Sequence, residues 1–187
     1  MSCGRIDLAC RKCRLSKHRI RVVPGKGSCR SPIVFVGEAP GKEEDLRGEP
    51  FVGRAGKILD DALREAGIAR EDAYISNLVK CRPPNNRKPR KDEIEACSQF
   101  LSSELKAIKP RVVCALGQTA AEALTGKKGS MTEHLGRAVG SERFERLIRV
   151  VVAYHPAACL YQSRKVTQFR SQIADALALA NTGRDPE

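Results

Sequence analysis

The chain has 187 residues, 41% of them hydrophobic and 30% charged, enough for one domain with a substantial buried core. Lysine and arginine outnumber aspartate and glutamate 34 to 22, a net charge of +12 that points to a polyanionic partner, nucleic acid foremost. No run of about 18 apolar residues is present to cross a membrane and no apolar leader opens the chain, so a cytoplasmic protein with no membrane partner is expected.

Residues 1–32 carry nine basic side chains against the single acid Asp7, and within them Cys10 and Cys13 form a C-x-x-C pair. In a reducing compartment clustered thiols bind metal more readily than they form disulfides. The apolar run at residues 33–36 predicts a buried strand, followed by the glycine- and acid-rich loop GEAPGKEEDLRGEPFVG. This loop lacks the G-K-[ST] of a phosphate loop and carries Glu38 where a phosphate would be repelled, which argues against nucleoside triphosphate binding. Gly37 and Gly41 permit close backbone approach to a ligand, while Glu38, Glu43, Glu44 and Asp45 offer carboxylates to position water or stabilise developing positive charge. Phe51, one of only eight aromatic residues, is available in this loop to stack on a base.

Ile58, Leu59, Ala62, Leu63 and Ala66 then share one face of a predicted helix that Gly67 stops. A second strand is predicted at residues 73–76. Beside its end stands Asn77, whose amide both donates and accepts, as reading a pyrimidine edge requires. Residues 80–91 hold six basic side chains and no acid, a second patch suited to phosphates. Cys81 and Cys97 bracket that patch. With Cys10 and Cys13 they supply four thiolates, which can complete a zinc site or hold an iron–sulfur cluster, and the long interval between the later two favours the cluster.

A helix with Ile94, Cys97, Leu101, Leu105 and Ile108 on one face is ended by Pro110. A third strand at residues 112–116, with Cys114 in the core, a short helix in QTAAEAL and a fourth strand at residues 147–153 follow. YHPAA then presents His155 as a donor to a leaving-group oxygen, and a last helix is expected near residues 166–180. Cys3, Cys29 and Cys159 receive no role. Alternating strands and helices predict a three-layer α/β/α sandwich with a four-stranded, mainly parallel sheet, spanning residues 1–187 as one domain with a frayed tail near 181–187. In such sheets ligands bind outside the carboxyl ends of the strands, where GEAPG, Asn77 and YHPAA all fall.

The segments CRKCRLSKHR, GEAPGKEEDLRGEPFVGRAGKILD, YISNLVKCRPPNNRKP and YHPAA, in this order over nearly the whole chain, resemble family 4 uracil-DNA glycosylase, the iron–sulfur branch of its superfamily. The resemblance implies a [4Fe-4S] cluster on Cys10, Cys13, Cys81 and Cys97. It also implies monofunctional excision of uracil from DNA, leaving an abasic site without a lyase step. By the same resemblance Glu38, Glu44 and His155 are catalytic, and Gly37, Ala39, Phe51, Asn77 and His155 surround uracil. Arg82, Arg87 and Lys88 are expected to contact DNA, with Leu160 as the wedge that fills the hole left by the flipped base. The implied partner is double- or single-stranded DNA containing uracil, bound by a monomer, with other repair or replication factors left open. The rival reading is a non-catalytic DNA-binding module with a structural cluster, which would have no reason to gather Glu38, Phe51, Asn77 and His155 at strand ends.

Overall fold

A computed structural model describes residues 3–128, 138–141 and 148–182, the segment 138–141 as backbone. The strands are β1 (Lys26–Gly27), β2 (Ile33–Gly37), β3 (Tyr74–Asn77), β4 (Val112–Leu116), β5 (Ala138–Ser141) and β6 (Ile148–Ala153). They form one sheet in the order β1-β3-β2-β4-β6-β5. The four central strands are parallel, as expected, and the two edge strands are antiparallel additions. The sequence reading missed β1 because a two-residue strand, Lys26–Gly27, carries no hydrophobic pattern. It missed β5 because AVGS is short and holds a glycine. Residue 147 and the tail at 183–187 lie outside the described residues.

The helices are α1 (Lys42–Arg47), α2 (Arg54–Glu65), α3 (Lys91–Ile108), α4 (Gln118–Thr125) and α5 (Ser163–Asn181). Strand periodicity sorts the core into two layers. Ile33 and Phe35 of β2, Ile75 of β3 and Cys114 of β4 face Leu59 and Leu63 of α2 and Phe169 and Ile173 of α5. Val34, Val36, Tyr74 and Val113 face the other way, against Leu101 and Leu105 of α3 and Leu124 of α4. Each such aliphatic or aromatic side chain, removed fully from water, stabilises the sandwich by about 1.5–3 kcal/mol before chain entropy is counted. The three-layer expectation therefore holds.

The N-terminal segment lies along α3. Gly4, at φ +91°, sits so close that a Cβ there would meet the Ser103 carbonyl at 2.7 Å. The Arg5 N–H donates to Ser103 Oγ at 2.7 Å and the Cys3 N–H to the Tyr74 hydroxyl at 3.3 Å. This course brings Cys3 to Cys29, and the two are joined as a disulfide. That is a correction to the reading of unassigned thiols: no local spacing signals a bond between residues 26 apart in sequence. Cys114 is buried in its strand as expected. No helix among the described residues is long and apolar enough to cross a membrane.

Candidate active site and cysteine cradle

The carboxyl ends of all four parallel strands meet at one crevice. β2 ends in Gly37 and β3 in Asn77, which are paired in register across the sheet. β4 leads into Gly117 and β6 into His155. The chain order reverses about β2, whose successor β3 lies on one side and β4 on the other, the topology that opens a crevice in doubly wound sheets.

Gly37 is required by crowding. A Cβ at this position would stand 2.5 Å from Asn77 Oδ1 and 2.5 Å from Phe51 Cζ, so the Asn77 amide and the aromatic ring converge on a bare backbone. Phe51 itself adopts φ +51°, a left-handed conformation costly for a bulky residue. Several contacts hold it there. Gly56, in the first turn of α2, lies under the Phe51 carbonyl, which a Cβ would approach to 1.9 Å. Arg70, paired with Asp60, donates to the preceding Pro50 carbonyl at 2.7 Å. The Phe51 ring is buried and tilted 35° to the His155 ring, with centroids 5.9 Å apart.

Glu44 closes the acidic loop on itself. One carboxylate oxygen accepts from the N–H of Gly41 at 3.0 Å; the other accepts from those of Val52 and Gly53 at 2.9 Å each. Its oxygens are thus committed to backbone, and they tie the start of α1 to the turn that carries Phe51. Asp45, buried, accepts from the N–H groups of Ile20 and Arg21 at 2.9 and 3.2 Å, and exposed Glu43 pairs with Arg47 at 3.8 Å. Among the described residues, half-buried Glu38 is the one of these four acids whose carboxylate takes no protein hydrogen bond or ion pair to Lys or Arg.

His155 caps a short 3-10 turn, Pro156–Cys159, with Nδ1 accepting the Ala157 N–H at 3.2 Å. A neutral ring that accepts at Nδ1 carries its proton on Nε2. Burial pushes the His155 pKa down, opposed by the nearby charges of Glu38 and Glu44, so the ring is a neutral donor at physiological pH. Gly117, at φ +93°, gives the ring room; a Cβ there would reach His155 Cβ at 3.0 Å. Sequence reasoning missed Gly117, Gly56 and Arg70, since each serves the site through a backbone or ring it supports.

Asn77 is 2% exposed, and among the described residues its Oδ1 is the buried side-chain atom left without a hydrogen-bond partner. Such an orphan is rare in native interiors because desolvating an unpaired acceptor costs about 1–3 kcal/mol. Ala39, by contrast, packs its methyl against the cysteine-rich core with Val79 and Cys81, so only its main chain is available to the crevice.

Cys10, Cys13, Cys81 and Cys97 line a single cavity walled by Val22, Ala96 and Phe100. As placed, no three His, Cys, Asp or Glu side chains among the described residues form a group that could hold a metal ion. The Cys97 sulfur accepts from the Lys80 N–H at 3.3 Å and the Cys81 sulfur from Arg19 at 3.6 Å. Burial pushes the Cys81 thiol up to about 12 and Cys97 to about 11, so neither is a thiolate at neutral pH without a cation to hold.

The expected DNA contacts divide. Arg87 forms a two-pronged pair with buried Glu93 at 2.6 and 2.8 Å, which commits its guanidinium to the protein. Arg82 donates to Asn86 at 2.7 Å, and Lys88 is exposed. Leu160 is half-buried; its neighbour Tyr161 is 80% exposed, with the Arg54 guanidinium 5.8 Å above its ring.

Residues 24–178 match the sequence model of the Uracil DNA glycosylase superfamily. The chain is 44% identical over 170 residues to a type-4 uracil-DNA glycosylase of Archaeoglobus fulgidus, covering 89% of this chain and 85% of that one. It is 47% identical over 155 residues to the type-4 enzyme of Thermotoga maritima, covering 81% and 78%. Against a type-5 uracil-DNA glycosylase of Pyrobaculum aerophilum identity falls to 31% over 164 residues, covering 79% and 70%.

Proposed function

Because the chain belongs to the uracil-DNA glycosylase superfamily, we propose that the crevice at the strand ends receives a uracil flipped out of DNA and that the residues gathered there cleave its N-glycosidic bond. The protein is a DNA-repair enzyme, a uracil-DNA glycosylase, and its substrate is DNA. The observation that supports this pocket is the orphaned Asn77 Oδ1. It accepts the N3–H of uracil while the amide N–H donates to O4. Cytosine, with an acceptor at N3 and donors at N4, meets the same amide donor to donor and acceptor to acceptor. Phe51 stacks on the base, and Gly37 leaves room for both.

As the C1′–N1 bond breaks, its electron pair moves onto uracil and positive charge develops on the sugar. His155 Nε2–H donates to uracil O2 and stabilises the anion without having to ionise. Glu38 orients water toward C1′ and stabilises the cation. The water oxygen bonds to C1′ and its proton passes to the carboxylate or solvent, giving an abasic site and free uracil. Glu44 acts by holding the loop that carries Glu38 and Phe51. None of the residues assigned here to the pocket is a lysine that could form a Schiff base, so the reaction stops at the abasic site.

The four cysteines that line the cradle are the donor set that would hold a [4Fe-4S] cluster. It offers four sulfurs, apolar walls and two hydrogen bonds to sulfur of the kind that tune such ligands. Bound there, the cluster supplies a cross-link between the N-terminal segment, the loop after β3 and α3. Arg82, Lys88 and the Leu160–Tyr161 tip face DNA, with Leu160 retained as the wedge and Tyr161 beside it. The body acts as a single domain and a monomer.

Excision from a duplex with one U:G pair, scored by alkali-dependent cleavage, tests this reading. Asn77→Ala is expected to lower kcat/KM by about 1000-fold while leaving melting temperature within a few degrees. Retained excision in that variant removes the pocket from this place.

A further inference from the structure

Lys80 is 1% exposed, and so is its partner Glu104 on α3. The Lys80 ammonium donates to Glu104 Oε2 at 2.7 Å, to Ser76 Oγ at 2.5 Å and to the main-chain carbonyl of Asn77 at 3.1 Å. Glu104 is completed by the Ser76 hydroxyl at 2.7 Å and the Gly25 N–H at 3.0 Å. A buried ion pair is an expensive way to fill a core, since similar apolar residues are often as stable. Its location suggests another use.

We propose that Lys80 is a positioning residue for uracil recognition, holding the main chain of Asn77 from the side of the sheet opposite the pocket. The local geometry leaves that carbonyl in need of a donor. The Leu78 N–H bonds to the Gly37 carbonyl at 2.9 Å, toward β2, so the Asn77 carbonyl in the same peptide points away from β2. On that far side the β1 ladder has already ended, its pairs being Lys26 with Ile75 and Gly27 with Tyr74. Lys80 reaches back three residues and takes the place of the missing strand. The ammonium works among Ser76 and Glu104, on the α3 face, whereas the Asn77 side chain meets Phe51 and Gly37 on the other. With three acceptors the amine is fully engaged, so it is an anchor and not a nucleophile.

The same residue also joins the two halves of the molecule. Its backbone N–H bonds to Cys97 in the cysteine cradle, and Cys81 follows it directly. The orientation of the uracil reader is thereby tied to the cradle through one side chain and its own peptide.

This inference rests on Asn77 reading uracil, so the experiment carries Asn77→Ala beside the new variants. The readouts are Ki for free uracil and KM for the U:G duplex, with melting temperature as the folding control. Lys80→Met/Glu104→Gln removes the charge pair without leaving either ion alone, and is expected to raise Ki and KM about tenfold. Ser76→Ala disturbs the same network but spares the bond to the Asn77 carbonyl, and should keep Ki within about twofold. Lys80→Gln/Glu104→Gln retains a neutral donor and should bring Ki back to within about threefold of the native value. An unchanged Ki in Lys80→Met/Glu104→Gln, with Asn77→Ala raised, overturns the role of Lys80 alone; equal rises in Ser76→Ala and Lys80→Met/Glu104→Gln overturn it as well. If Asn77→Ala leaves Ki unchanged, both readings fall together.

Discussion

The crevice at the strand ends and the lobe around the cysteines are both rich in polar and charged groups, but they use them in opposite ways. In the lobe several of these groups have an internal partner: Arg87 with Glu93, Arg14 with Asp92, Lys12 with Gln99. In the crevice, among the described residues, Asn77 Oδ1 has no partner, His155 Nε2 has none, and the Glu38 carboxylate accepts no protein hydrogen bond. A folded chain discards an unpaired buried acceptor unless something else completes it. The difference therefore marks where the protein is built for itself and where it is built for a ligand.

The sharpest way to break the comparison is to crowd the crevice. Gly37→Ala forces Asn77 or Phe51 aside by a large fraction of an ångström, and kcat/KM should fall about 100-fold with DNA affinity kept. Normal excision by this variant, measured under single-turnover conditions, would mean that neither group touches the base.

The lobe should respond in stability and not in chemistry. The Arg87 hydrogen bonds hold the Glu93 carboxyl down to about 2, from an ordinary 4.5. A depressed carboxylate stabilises the fold above its unfolded pKa and loses that contribution as pH falls through the folded value. Arg87→Met is thus expected to melt earlier than the native chain at pH 6 with excision per folded molecule unchanged, and the gap in melting temperature should close between pH 4.5 and 2. A gap that persists at pH 2 would place the stabilisation elsewhere.

Much of this division was legible in the sequence, and the part that was not has a physical cause. Short continuous apolar runs gave the central strands, which are buried on both faces, and period-3.6 patterns gave the long helices, which bury one. The proposed site residues were sought where strands end, since GEAPG and YHPAA interrupt apolar runs with groups that have no business in a core. Glu44 looked like a catalytic acid because a sequence shows its charge and not the three N–H groups that occupy it. Arg87 looked like a phosphate contact for the same reason. Lys80 was counted in a basic patch, although it is among the most buried side chains of the molecule. Pairing between distant residues is what composition cannot display, and it decides which charges remain for DNA.

The smallest effect tests that last point on adjacent residues. Lys88 and Arg87 carry the same charge in the same basic segment, and any account based on sequence charge assigns both to the phosphate backbone. The structure leaves Lys88 exposed and binds Arg87 to Glu93. A cation already paired brings almost no net charge to DNA and releases almost no counterion, whereas a free one contributes about 0.9 to the slope of log K against log salt. Lys88→Ala should therefore lower that slope by about 0.9 and weaken binding alike on every sequence, with excision from the bound complex unchanged. Arg87→Met should leave the slope where it was. Equal losses from the two variants would show that DNA draws Arg87 away from Glu93, and the lobe would then be a ligand surface as much as the crevice is.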